Sequence, residues 1–362
     1  MTTRNKLTCC RLTSCRVLLC HTTLASLLAF ALTAEVNAQE ETSTRPDGTR
    51  MRAAIKKSLP LLEQAAAGSA DQRKCFMCHG QALPVMAASE ARLRGFAIDE
   101  QNFARQLEHT TKHLKRGQKD YLKGKGQGGR VDMAGYALWT LEAGGRAGDD
   151  VTDAVAEYIL QADVDRGYWQ HTSNRPPSEA SDFTTTYLAL RALTAFAPDD
   201  QQQRTSQRVA LAADWLREHK PADVEDRVFQ LRAMSYAGLD EESQRPFAHD
   251  LLALQNDDGG WAQKSDLASD AYATGSALVA LLRTGHLTPS SESYRRGVTF
   301  LLDSQQQDGS WHVVSRSKPF QKHFESGFPH GKDQFISTSA TGWATIALLL
   351  GLPDDSPTAS SR

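Results

Sequence analysis

"RGVTFLLDSQQQDGSW", residues 296–311, joins the end of an amphipathic helix to a turn and its closing tryptophan. Gly309 permits the turn, because glycine adopts backbone angles closed to other residues. Trp311 is placed to stack over the next helix, and the Gln305 amide can close the helix end onto the turn. "QNDDGGW" (255–261) repeats the second half of the pattern with Gln255, Gly259 and Trp261. "QADVDRGYW" (161–169) is a looser copy, two residues longer, with Gln161, Gly167 and Trp169. Recurrence of one such unit is the signature of a repeat architecture.

Outward from these turns the chain reads as twelve helical segments, with almost no strand signal. Segments near 52–66, 98–124, 149–163, 203–218, 241–255 and 291–304 are charged and amphipathic. Segments near 75–94, 131–144, 182–196, 225–238, 268–284 and 336–350 are richer in Ala, Gly and Leu. The two kinds alternate strictly. A helix apolar nearly all round must be buried on both sides, whereas a charged amphipathic one faces water. Six inner and six outer helices in alternation predict an all-α fold, an α6/α6 toroid over residues 51–352.

Three inner segments align without gaps: "CFMCHGQALPVM" from Cys75, "DAYATGSALVAL" from Asp270 and "STSATGWATIAL" from Ser337. Gly80, Gly275 and Gly342 fall in register. A mid-helix glycine costs about 1 kcal/mol against alanine, so its recurrence predicts close helix packing around an axis. Position by position, Arg296, Gly297, Phe300, Leu301, Leu302, Gln305, Gly309 and Trp311 resemble the QW repeat of squalene-hopene cyclases and related terpene cyclases. The resemblance covers about residues 50–352 and implies the toroid shared by those cyclases and by prenyltransferases. It also implies a hydrophobic or polyprenyl-like ligand in a central cavity.

The resemblance implies catalytic residues only where the motifs match, and they match poorly. Squalene-hopene cyclases carry a D-x-D-D-T-type motif whose middle aspartate protonates an alkene. The stretch that resembles it here is "DFTTTY" from Asp182, with Thr184 and Thr185 in place of the later acids. "DAYAT" from Asp270 departs in the same way. Asp182 and Asp270 remain the catalytic candidates, and ordinary squalene cyclisation is not expected. The prenyltransferase zinc site needs a cysteine on a later inner helix, and none follows Cys78. The Cys-Gly-Glu-Gln stretch of the complement-type thioester proteins is absent.

The N-terminus reads as an export signal. Arg4, Lys6, Arg11 and Arg16 precede the apolar run 17–34, and Val36 and Ala38 stand before Gln39 as at a signal-peptidase site. Cleavage there leaves an exported chain, periplasmic or secreted, with no stable membrane span. It removes four positive charges and one negative, taking the formal charge from −2 to −5. That balance gives no case for nucleic-acid binding. Residues 39–50 and 353–362 read as polar, disordered tails. The seven basic residues between Lys112 and Arg130 read as a solvated face, and the long connection 312–334, with His312, His323 and His330, as a lid or binding loop.

Only Cys75 and Cys78 remain in the mature chain, in Cys-x-x-Cys-His with His79. The spacing is that of c-type haem attachment, in which two thiols add to vinyl groups and the histidine ligates iron. The partner ligand is not evident: Met86 lies on the same helix, and His109, His113 or His171 could serve only through tertiary folding. Two alternatives stay open: Cys75, Cys78 and His79 as zinc or copper ligands, or a Cys75–Cys78 disulfide or redox pair. In such a toroid the inner-helix N-termini would carry this cluster together with Asp132, Asp182, Asp226, Asp270 and Ser337, read as helix caps or as a polar ring. Phe183, Tyr187, Tyr272 and Trp343 are the candidate cavity-lining aromatics.

Overall fold

The computed structural model describes residues 46–318 and 322–353. The leader read at 1–38 and nearly all of 353–362 lie outside them. Among the described residues twelve α-helices follow one another: α1 (Gly48–Gln72), α2 (Leu83–Leu93), α3 (Glu100–Tyr121), α4 (Arg130–Ala143), α5 (Asp150–Gln161), α6 (Asp182–Phe196), α7 (Gln202–Glu218), α8 (Val224–Tyr236), α9 (Glu241–Leu252), α10 (Ala271–Arg283), α11 (Glu292–Ser304) and α12 (Gln334–Gly351). One short strand pair, Trp261–Ala262 with Ser269–Asp270, precedes α10. No described helix is long and apolar enough to cross a membrane.

The alternation read from the sequence is the architecture. Each even-numbered helix packs on the next (α2 on α4, α4 on α6, α6 on α8, α8 on α10, α10 on α12), and α12 returns to α2 to close the ring. The odd-numbered helices lie outside it. Burial follows: residues 131–141 of α4 and 271–281 of α10 are buried without exception, while α3 buries one stripe. Gly275 admits α12, because a Cβ there would stand 2.7 Å from the Ala344 amide nitrogen. Gly342 likewise admits Leu83 of α2, at 2.8 Å. Gly80 serves differently, facing Ser69 of outer helix α1 rather than an inner neighbour.

Two boundaries differ from the sequence reading. Helix α1 begins at Gly48, inside the stretch read as a tail, where the Asp47 side chain accepts the Thr49 amide at 2.9 Å. The inner helix expected over 75–94 starts late: Cys75–Met77 are not helical, and Cys78–Ala82 form a π turn before α2. Pro84 carries no N–H, so the Gly80 carbonyl cannot receive the usual helical bond and the turn widens.

The Gln…Gly-x-Trp turns fasten the layers together. Trp169, Trp261 and Trp311 each donate their indole N–H at 2.8 Å to a carbonyl ten residues back. Their amides donate to Thr186, Thr274 and Thr341 of the following inner helices at 3.1, 2.9 and 3.1 Å. Each indole is essentially sealed from water. That withdraws on the order of 200 Å², an upper-bound contribution of roughly 5 kcal/mol. Gln255 Nε2 donates to Gly259 of its own turn and to Ser293 of α11, both at 2.8 Å. Gln305 donates to Gly309 and, at 3.0 Å, to Ala54 of α1, joining the last repeat to the first. In the looser copy Gln161 turns to Glu157 instead, and Arg208 of α7 binds the carbonyls of Ala162, Asp163 and Arg166.

Gly309 has φ +97°, and a Cβ there would stand 2.6 Å from the Lys57 backbone of α1. Gly285 also has positive φ but nothing within 4 Å. Gly285→Ala is expected to cost about 1–2 kcal/mol of backbone strain. Gly309→Ala should cost a further 1–3 kcal/mol or so for the overlap. Urea unfolding of both variants checks this; equal losses would mean that α1 does not press on the turn.

Candidate functional site

The inner-helix N-termini are covered by the connection 162–181, which inserts Pro177, Ser178 and Glu179 into the ring until all three are buried. Paired backbone bonds between Arg175 and Glu179, at 3.0 and 3.1 Å, hold this hairpin. Tyr136 of α4 donates to the Ser178 carbonyl at 3.2 Å. His79 Nε2 lies 2.5 Å from Ser178 Oγ, and its Nδ1 lies 3.3 Å from Glu179 Oε1. Arg175 forms an ion pair with the other oxygen of Glu179.

Beside this insert is a chamber of about 790 Å³. Cys75, Cys78 and His79 are on its wall, with His113 of α3, Met133 of α4 and the basic side chains Arg175, Arg316 and Lys318. Its size falls within the usual range for small-molecule sites. Cys75 is exposed and Cys78 buried, and both are free thiols here. Among the described residues no group of three or more His, Cys, Asp and Glu is arranged to hold a metal ion.

Burial governs the titration of this region. It drives His79 down to about 3, with Arg175 adding to the effect, and His113 down to about 4, with Arg116 adding. Both imidazoles are therefore held neutral. Burial and then Glu179 push the Cys78 thiol well up, against thiolate formation. Glu179 itself is raised to about 7 by burial, against the pull of Arg175. Deeper in the ring, Glu225 of α8 is raised to about 8 by burial and then Asp223. Its Oε1 accepts from Thr184 and Tyr272, both at 3.2 Å, while Oε2 has no hydrogen-bond partner among the described residues.

Most of the expected ring of caps is something else. Asp270 does cap, accepting the Ala273 amide at 3.0 Å. Asp132 accepts from Thr185 and Asp226 accepts from Ser181 at 2.6 Å, so both tie neighbouring inner helices together. Asp182 lies 2.6 Å from His171 Nδ1, and Ser337 accepts the Val313 amide at 3.1 Å. Neither catalytic candidate, Asp182 or Asp270, is on the chamber wall. Of the possible iron partners His113 is on that wall, whereas His109 is bound to Gln81 and to the Arg73 carbonyl. The long connection reaches the chamber through Arg316 and Lys318, not through its histidines: His312 pairs with Asp333, His330 lies against Ser310, and His323 pairs with Glu325. The basic residues of 112–130 are exposed, as read. Tyr187 and Trp343 line a second, smaller chamber at the other end of the ring, Phe183 packs on Trp215, and Tyr272 bonds Glu225. Ser178 and Glu179 were missed; the signal available was the unusual length of their connection.

No family model matches the chain. Over 99 residues it is 33% identical to lanosterol synthase erg7A of Aspergillus fumigatus, a segment that is 27% of this chain and only 12% of that protein. Among solved structures it is similar to the type II terpene cyclase MstE from Scytonema in its apo form, with TM-score 0.52 and 14% identity over 85% of this chain and 100% of that one. It is similar to the same cyclase with geranylgeranyl dihydroxybenzoate bound, with TM-score 0.50 and 11% identity over 84% and 99%. At these identities the likeness establishes a terpene cyclase-like fold.

The carboxyl of Glu225 gives a direct test of the buried cluster. The native state keeps its proton up to about 8, whereas the unfolded chain releases it near the ordinary value of 4.5. Stability is therefore greatest below that lower value and falls as pH rises through the interval. Glu225→Gln removes this titration and should flatten the decline, leaving the share due to Glu179. Unfolding midpoints measured across the interval would show parallel curves if Glu225 were ordinary.

Proposed function

We propose that this chain is an exported c-type haem protein built on a terpene cyclase-like toroid, working in electron transfer. The observation that carries the reading is the composition of the larger chamber wall. It brings together two cysteines and a histidine at haem-attachment spacing, a second possible iron ligand in His113 or Met133, and three cations, Arg175, Arg316 and Lys318, suited to two propionates. Cys75 and Cys78 would hold the group through thioethers, and His79 would ligate its iron on releasing Ser178. A thioether needs no charge on sulfur, which suits the suppressed ionisation of Cys78 better than a metal thiolate does. The bound group supplies one-electron chemistry; the chain supplies attachment, neutral imidazole ligands and a chamber roofed by the 162–181 connection.

A second reading, a hydrophobic polyprenyl-like ligand in the same chamber, is favoured by the likeness to a cyclase that binds a geranylgeranyl compound. Alkene protonation by this chain is disfavoured on physical grounds. Thr184 and Thr185 stand where acids would be needed, and Glu225 and Glu179 hold their protons more tightly than an ordinary carboxyl does.

The full chain exported alongside c-type haem maturation machinery is expected to keep haem in denaturant. Cys75→Ser with Cys78→Ser should lose it, and His113→Ala or Met133→Ala, whichever removes the second ligand, should alter the spectrum with haem retained. Folded protein free of covalent haem would overturn the reading; polyprenyl lipid recovered in its extracts would support the second one.

A further inference from the structure

The smaller chamber, of about 290 Å³, takes wall residues from the C-terminal halves of all six inner helices. Its floor is aromatic, with Trp139, Tyr187 and Trp343, and three guanidinium groups face it from Arg191, Arg232 and Arg283. Two carboxylates are at hand. Glu142 pairs with Arg191, and Glu90 is shared by Arg94 and Arg283. Arg232 is left over. It is 6% exposed and forms no ion pair among the described residues. Its Nη2 donates to Tyr187 Oη at 2.6 Å, and its Nη1, sealed from solvent, has no hydrogen-bond partner among the described residues.

We propose that this chamber binds a small organic carboxylate, whose charge sits beside the guanidinium of Arg232 and whose apolar body lies against Trp139 and Trp343. A buried cation lacking a counter-charge carries a desolvation cost of several kcal/mol. Part of that cost is offset here. The guanidinium carbon stands 4.4 to 5.3 Å from the ring centroids of Tyr187, Trp139, Trp343 and Phe229, and cation–π attraction of about 0.5–2 kcal/mol is available at such distances. The C-terminal ends of the inner helices add a diffuse negative field. Neither supplies a counter-charge, and burial still lowers the readiness of Arg232 to hold its charge. An anion in the chamber supplies one. A carboxylate with an apolar body fits better than a fully hydrated inorganic ion, because Met86, Val279 and Ile346 line the chamber beside its aromatic floor. The site stands apart from the cysteine chamber and does not depend on haem.

Calorimetric titration of the whole chain tests this with three probes: phenylacetate, its neutral isostere phenylacetamide, and inorganic phosphate. Phenylacetate is expected to bind, and to bind roughly tenfold or more tightly than phenylacetamide, the scale of one charge-assisted hydrogen bond. Arg232→Gln should lose that preference. Equal binding of the acid and the amide would overturn the proposal, as would phosphate binding in place of phenylacetate or no binding of phenylacetate at millimolar concentration. The selectivity of the unmutated chain decides the matter even if Arg232→Gln does not fold.

Discussion

The Gln305 amide, donating to its own turn and to the Ala54 carbonyl, is the point at which the structure becomes a ring. An open stack of these repeats would leave the inner faces of α2 and α12 in water, and both are apolar nearly all round. Closure removes those faces and brings six inner N-termini together at one end and six C-termini at the other. Everything chemical about the molecule follows from that asymmetry. One end carries the thiols and imidazoles, with Arg175 and Arg316, and the other carries Arg191, Arg232 and Arg283 over an aromatic floor, with Glu90 and Glu142.

The barrel itself is a partition rather than a tube. Trp139 stands 6.0 Å from Trp343 and 5.3 Å from Tyr187, and Phe229 is 6.4 Å from Trp343. With Tyr136 and Tyr272 fully buried above them, these rings occupy the axis where a long isoprenoid would have to lie. The two chambers are what remains at either side. A ligand large enough to need the whole axis would have to displace aromatic side chains packed at the density of a core. That weighs toward a ligand seated at one mouth, and the loop insert of Ser178 and Glu179 narrows it further.

The fold was legible in the sequence because helix periodicity, glycine register and the Gln…Gly-x-Trp turns are local signals that all point the same way. Gly275 and Gly342 close-pack on inner neighbours as their register implied, whereas Gly80 packs on Ser69 of outer helix α1, where Pro84 upsets the helix around it. The candidate site was only half legible. Cys75, Cys78 and His79 are adjacent in sequence and carry their own spacing. Glu179 and Ser178 come from a connection with no period, so their arrival beside His79 is a tertiary event. Arg232 left one readable trace: "FQLRAMSY" sets a charge within a helix that must be buried. Its meaning depends on which carboxylates come near, and no helix pattern gives that.

Closure also imposes an order in time. Helix α2 is flanked by α4 and α12, so one of its two inner neighbours emerges only with the last helix of the chain. Arg316 and Lys318, which line the same chamber as the cysteines, arrive nearly as late. A chain delivered from its N-terminus holds Cys75 and Cys78 in the open through the synthesis of ten further helices. In the closed ring Cys75 remains exposed and Cys78 is buried, so folding covers only the second of the two thiols.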